Sequence, residues 1–227
     1  MKHKGIRYLN VGEDGIAILK PEMCKKPNAD LVSLINDIGI ASSKAQGLSH
    51  IITTFSTFTG GDNTLYILVN QELGEVLGFV KVGYRHLFLW DRVGQQHETE
   101  TLCLLDFFTY PSQQRKGFGR KLIDRMLSDQ GLEMSQIPID RPSALCFSFM
   151  KKHFGLSEYL PQANKFVVFD QYWETKHQFI EPHSLRVQQP MTPQRKQPQN
   201  RLLEPPLHAR TPQRKTGYNP ITWEPYD

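Results

Sequence analysis

The chain has 227 residues, 39% hydrophobic, and a formal net charge of +4. That is enough for one sizeable core without disulfide staples, yet apolar-poor enough that part of it should stay unfolded. Cys24, Cys103 and Cys146 are odd in number and widely spaced, which argues against a disulfide framework and fits a reducing compartment. No apolar run approaches bilayer length, and Met1-Lys2-His3-Lys4 does not open a secretory signal, so the sequence predicts a cytosolic protein and no membrane span.

In chain order, Ala29 to Leu48 places Leu31, Ile35, Ile38 and Ala41 at helical spacing, behind Asn28 or Asp30 as a cap. Thr64 to Val69 reads as a strand ended by a turn over Asn70 to Gly74. Glu75 to Tyr84 reads as a second strand, and Arg85 to Trp90 as a third segment. Thr101 to Tyr110 (TLCLLDFFTY) is apolar on both faces, which predicts a central strand. A helix follows from Gly117 to Ser128, with Leu122, Ile123, Met126 and Leu127 on its inner face. A second helix is predicted to start at Pro142, whose fixed φ suits the first helical position. Phe166 to Phe169 reads as a late strand. The alternation predicts an α/β fold over residues 1–181, a mixed central sheet flanked by helices.

Residues 182–227 differ in kind. They hold nine of the fifteen prolines, seven basic and three acidic residues, so they carry the whole net charge and residues 1–181 are formally neutral. Such a stretch buries too little apolar surface to offset ordering and is predicted to be a disordered basic tail. It either solvates the chain or attracts an acidic partner. A neutral core without a reading motif gives no support to nucleic-acid binding. Scattered histidines and unpaired cysteines predict no metal site.

The most informative stretch runs from Leu105 to Arg120: an apolar strand, a short connection, then Gln114-Arg115-Lys116-Gly117-Phe118-Gly119 opening a helix. Free backbone N–H groups and the positive end of the helix dipole make such a start an anion site. Glycines let a pyrophosphate come close. Arg115, Lys116 and Arg120 add charge. Neither a Walker ending nor a Gly-x-Gly-x-x-Gly fingerprint is present.

This Gln-x-x-Gly-x-Gly pattern resembles the pyrophosphate signature of the GNAT acetyltransferases. Further segments narrow the likeness: Ser43-Lys44-Ala45-Gln46-Gly47-Leu48-Ser49, Gly78-Phe79-Val80-Lys81-Val82-Gly83, Asp140-Arg141-Pro142-Ser143 and Pro161-Gln162-Ala163-Asn164-Lys165-Phe166-Val167-Val168-Phe169. Together these resemble the α-tubulin N-acetyltransferase family over nearly all of residues 29–170. The sequence departs from that family between Ser143 and Lys152, where Ala144, Leu145 and Cys146 replace a more polar pattern. The resemblance implies a GNAT fold and acetyl-CoA as co-substrate. It also implies acetylation of a lumenal lysine of α-tubulin, a monomer, and a place on microtubules of the cytoplasm, axoneme or cilium.

It further implies co-substrate contacts at Phe107, Phe108, Gln113, Gln114, Arg115, Lys116, Gly117, Phe118, Gly119, Arg120, Ser143 and Lys152. Lys81, Arg85, Phe88 and Arg141 are implied to meet the substrate, and Asp140, Cys103 and Gln46 to form the catalytic centre. Asp140 otherwise reads as a cap on the helix at Pro142, Cys103 as a buried core cysteine, and Gln46 as a solvated helix end. The alternatives in function are a GNAT enzyme acting on another lysine, or a catalytically silent protein that only binds microtubules.

Overall fold

The computed structural model describes residues 1–177; the basic, proline-rich tail predicted for 182–227 lies outside the described residues. In chain order the elements are β1 (Ile16–Leu19), α1 (Ala29–Gln46), α2 (Phe55–Thr59), β2 (Asn63–Asn70), β3 (Glu75–Trp90), β4 (Gln96–Thr109), α3 (Phe118–Gln130), β5 (Ile139–Asp140), α4 (Ala144–Phe154), β6 (Tyr159–Pro161), β7 (Phe166–Phe169) and α5 (Gln171–His177). The seven strands form one sheet in the order β1-β2-β3-β4-β5-β7-β6. Only β4 and β5 run parallel, so the sheet is mixed.

Alternation along the strands sends apolar side chains to both faces. On one face Val80, Val82, Leu102 and Leu104 pack with Leu122, Ile123 and Met126 of α3 and Met150 of α4. On the other, Leu65, Ile67, Phe79 and Phe108 pack with Leu34, Ile35 and Ile38 of α1 and Phe58 of α2. Further along that second face, Leu87, Leu89 and Cys103 pack with Tyr172 and Trp173 of α5.

Two expectations are corrected, and one strand was not foreseen. Arg85 to Trp90 is no separate segment: β3 continues through it as one 16-residue strand, because β4 begins at Gln96 rather than Thr101 and pairs with it residue for residue to Trp90. The helix expected at Pro142 begins at Ala144, capped by Ser143, whose Oγ accepts from the Cys146 N–H at 3.3 Å. Asp140 therefore does not cap it. The N-terminal strand β1, pairing with β2 from Ile16↔Leu68 to Leu19↔Leu65, was not predicted.

Two irregularities open the centre of the sheet. Lys81 pairs with Asp106 and Val82 with Leu104, so Leu105 has no partner and forms a bulge in β4. On its other edge β4 meets β5 at one register position, Leu104↔Ile139, joined by the Leu104 N–H to the Pro138 carbonyl at 2.9 Å. Beyond that point the two strands are unpaired, and a cleft lies between them.

Candidate active site

The cleft is lined by Leu104 to Phe107 from β4, by Ile139 to Ser143 following β5, and by Gln46, Leu48, Ile52 and Cys146. A larger open groove adjoins it, between the start of α3 and the length of α4. Gln46, Phe107, Ser143 and Cys146 line both.

The groove is built for an anion at one end. Gly117 caps α3 with φ +84°, a left-handed conformation that favours glycine, and no side chain caps the helix. The first backbone N–H groups of α3 are thus left to a ligand. Arg115, Arg120 and Lys152 line the same wall. Arg120 is held in place: its Nε donates to Asp124 at 2.7 Å, its Nη1 to the His153 carbonyl at 2.7 Å, and its guanidinium lies 4.6 Å from the Phe154 ring centroid. Gln114 lines the groove and donates to the Thr109 carbonyl at 3.2 Å. Gly119 lies beside Phe107 and Phe149, whose rings meet edge to face at 5.0 Å and make an apolar floor.

Of the other residues expected at the groove, Gln113, Lys116 and Phe118 do not line it and Phe108 does. Lys116 donates to Gln113 at 3.0 Å, and neither lines the groove. Phe118 packs into the core on the α3 face. Phe108 borders the groove while its ring packs with Phe79 and Tyr110 on the opposite face.

In the cleft, Asp140 is clamped by its neighbour: Arg141 Nε donates to Oδ1 at 2.9 Å and Nη2 to Oδ2 at 3.0 Å. Arg141 does this from a left-handed backbone, φ +43°. Cys103 is on the α5 face of β4, wholly buried, and its Sγ donates to the Thr101 carbonyl at 3.4 Å. Burial pushes its thiol up to about 12, so it holds its proton.

A polar cluster that sequence reasoning missed stands behind Gln46. Asp106 is buried in β4 and accepts from Ser42 Oγ at 2.9 Å, Gln46 Nε2 at 3.1 Å and Thr53 Oγ1 at 2.6 Å. Gln46 Nε2 also donates to Ser42 Oγ at 2.8 Å. Burial pushes the Asp106 carboxyl up, against three hydrogen bonds and Lys81 that hold it down. The signal was available: an aspartate inside an otherwise apolar strand requires a buried partner.

The residue opposite Asp106 in the β3–β4 register corrects a further expectation. Lys81 is not on a docking surface; it is buried and donates to the Ile52 carbonyl at 2.7 Å. Arg85 lies on the same face of β3 and reaches Asn63 Oδ1 at 2.8 Å, whereas Phe88 stands exposed on the other face. Among the described residues, no group of three or more His, Cys, Asp or Glu side chains is placed to hold a metal ion.

Residues 9–201 match the family described as GNAT acetyltransferase, Mec-17. Three curated relatives are each called an α-tubulin N-acetyltransferase. The Aedes aegypti protein is 38% identical over 151 residues, covering 66% of this chain and 56% of the relative. The Phytophthora infestans protein is 42% identical over 137 residues, 58% of this chain and 76% of the relative. The Trichoplax adhaerens protein is 43% identical over 159 residues, 64% of this chain and 67% of the relative. The match to the mosquito protein thus spans little more than half of that protein's length.

Proposed function

Because this chain belongs to the Mec-17 family of GNAT acetyltransferases, we propose that it transfers an acetyl group from acetyl-CoA to the ε-amine of a lysine of α-tubulin. The names of its relatives supply the substrate. The lumenal position of that lysine and a place on microtubules follow from the same reading. The observation that carries it is the junction of groove and cleft: a molecule anchored by its phosphates at α3 can lay its far end beside Asp140 and Gln46.

Acetyl-CoA supplies an acyl group already activated as a thioester. Its fit rests on the uncapped start of α3 with Arg115, Arg120 and Lys152, which suits phosphates, and on Phe107, Leu145 and Phe149, which suit an apolar arm. The chain's own work is to receive the amine, hold it, and move a proton. Lysine has a reference pKa of about 10.4, so it arrives as an ammonium. Of the two carboxylates lining the cleft, Asp106 is buried and taken up by three donors, so Asp140 is the one positioned to pair with it and take its proton. Arg141 fixes that carboxylate by two hydrogen bonds. Holding amine and acyl group together then provides most of the acceleration. Cys103 serves in this reading as a protonated wall behind β4.

The test is acetyl transfer to purified tubulin, polymerised and unpolymerised, with modified lysines mapped by mass spectrometry. One acetylated α-tubulin lysine, lost in Asp140→Asn, is the expected result. No acetylation with acetyl-CoA still bound would overturn the substrate and leave another lysine-bearing protein or a silent scaffold.

A further inference from the structure

We infer that the buried carboxylate of Asp106 sets which way round the Gln46 amide lies, and so presents the Gln46 carbonyl oxygen to the incoming amine. Asp106 is then a positioning residue for acetyl transfer, a role that rests on the function proposed above.

A glutamine amide has nearly the same shape in either orientation, and its neighbours decide between them. Here Nε2 faces two acceptors that touch one another, Ser42 Oγ at 2.8 Å and Asp106 Oδ1 at 3.1 Å. The Ser42 hydroxyl gives its own proton to Asp106 Oδ1 at 2.9 Å, so it turns a lone pair toward Gln46. Thr53 Oγ1 donates to Oδ2 at 2.6 Å. Three donors converge on one acceptor, and an ionised carboxylate is acceptor-only. The direction of every bond in the cluster therefore follows from the charge on Asp106.

Reversing the Gln46 amide would face its carbonyl oxygen toward a carboxylate oxygen and break two half-buried hydrogen bonds. Lys81 favours the ionised carboxylate from the paired position on β3, while its Nζ donates to the Ile52 carbonyl at 2.7 Å beside Thr53. With Nε2 turned to Ser42 and Asp106, Oε1 is the atom Gln46 offers to the cleft it lines together with Asp140. A lysine amine carries only donors when protonated, so two acceptors from opposite walls fix its position. Ser42 and Gln46 are one turn apart on α1, so the helix end and β4 are tied at the point where the amine enters.

The test is a kinetic cycle with a spectroscopic arm, run on the full chain. With polymerised tubulin, Asp106→Asn offers an amide that can itself lie either way. It should lower kcat by roughly tenfold to a hundredfold, with acetyl-CoA affinity and the KM for microtubules unchanged. Gln46→Ala should lose as much, and the double variant no more than either alone, because one residue acts through the other. In the spectroscopic arm, the protein is labelled with 15N-glutamine and the Gln46 side-chain resonance is assigned by its loss in Gln46→Ala. Its Nε2 hydrogens should exchange slowly with water, and faster in Ser42→Ala, a milder variant. Wild-type turnover in folded Asp106→Asn would overturn the inference, as would losses that multiply in the double variant or exchange as fast as a free glutamine. Should the wild type leave tubulin unmodified, the proposed function fails, and the exchange arm alone decides the amide orientation.

Discussion

Lys81 and Asp106 stand opposite one another in the register of β3 and β4, both buried, at 5% and 4% exposure. A cation and an anion inside the sheet, beside the single-register junction of β4 and β5, are costly unless they meet each other and further hydrogen-bonding groups. Lys81 has Ile52 and Asp106 has Ser42, Gln46 and Thr53. The pair thus ties α1, the segment before α2 and the central strands together on one side of the cleft.

Removing one partner should unfold more than it unbinds. Lys81→Met removes the cation opposite a buried carboxylate that keeps its three hydrogen bonds, and should lower the urea midpoint. Burial holds the Lys81 ammonium down at about 8, against an ordinary 10.5. Between those values the unfolded chain binds more protons than the folded one. The Lys81 contribution to stability therefore rises with pH across that window and is flat below it. Subtracting the pH slope of Lys81→Met from that of wild type should leave a positive difference from pH 8 to 10.5. No difference would place the ammonium in solvent.

Cys103 should be silent where an ordinary thiol titrates. With the thiol pushed to about 12 from 9.0 by burial, wild type and Cys103→Ala should show the same thiolate absorbance at 240 nm up to about pH 10. The folded thiol keeps its proton while the unfolded one loses it, so its contribution to stability falls as pH rises from 9 toward 12. A Cys103 titration in the range of a free thiol, about 8.5, would return it to the role of proton acceptor.

Arg141 separates a backbone effect from a side-chain effect. Its φ of +43° is a left-handed conformation that glycine adopts freely, and its N–H donates to the Lys165 carbonyl at 3.1 Å. Arg141→Gly should be more stable than Arg141→Ala by about 0.5–1 kcal/mol. Both lose the two hydrogen bonds to Asp140 and should show the same drop in kcat. Unequal kcat values would mean that loop geometry, not the guanidinium, sets the rate.

Gly117 is the corresponding case at the groove. Its φ of +84° strains any other residue, while a Cβ there meets nothing within 4 Å. Gly117→Ala should therefore cost about 1 kcal/mol through backbone strain alone. Relief of that strain tilts the first N–H groups of α3, so the dissociation constant for acetyl-CoA, measured by calorimetry, should rise. Unchanged affinity would remove those N–H groups from the site.

The groove was legible in the sequence because its chemistry is local: a strand, a connection and a glycine-opened helix are contiguous from Leu105 to Arg120. The central position of β4 was legible for the same reason, since its apolar residues run together. The Asp106 cluster was not, because its members lie on four segments that only the fold brings together. Lys81 misled for a related reason. A lysine in a strand is usually solvent-facing, and only the burial of both faces of β3 as far as Gly83 makes it internal. Asp140 also read as a cap, because Pro142 can open a helix; here Ser143 takes the cap instead.

The far half of β3 separates two residues that the sequence had grouped as one docking surface. From Tyr84 onward Tyr84, His86, Phe88 and Trp90 share the exposed face, while Arg85, Leu87 and Leu89 share the inner one. The exposed row is paired across to Glu100 and Glu98 of β4, and His86 Nε2 lies 2.8 Å from Glu98 Oε1. Phe88 is 50% exposed with its ring 5.4 Å from His86, and aromatic rings are the side chains that contribute most at a protein interface. Phe88→Ser should leave the melting temperature unchanged and raise the KM for microtubules by roughly tenfold, the effect of losing one interface anchor. Arg85→Glu should act in the opposite way, lowering stability through the lost bond to Asn63. If Arg85→Glu instead weakens microtubule use at full stability while Phe88→Ser does nothing, the substrate approaches the inner face and the aromatic row is only surface.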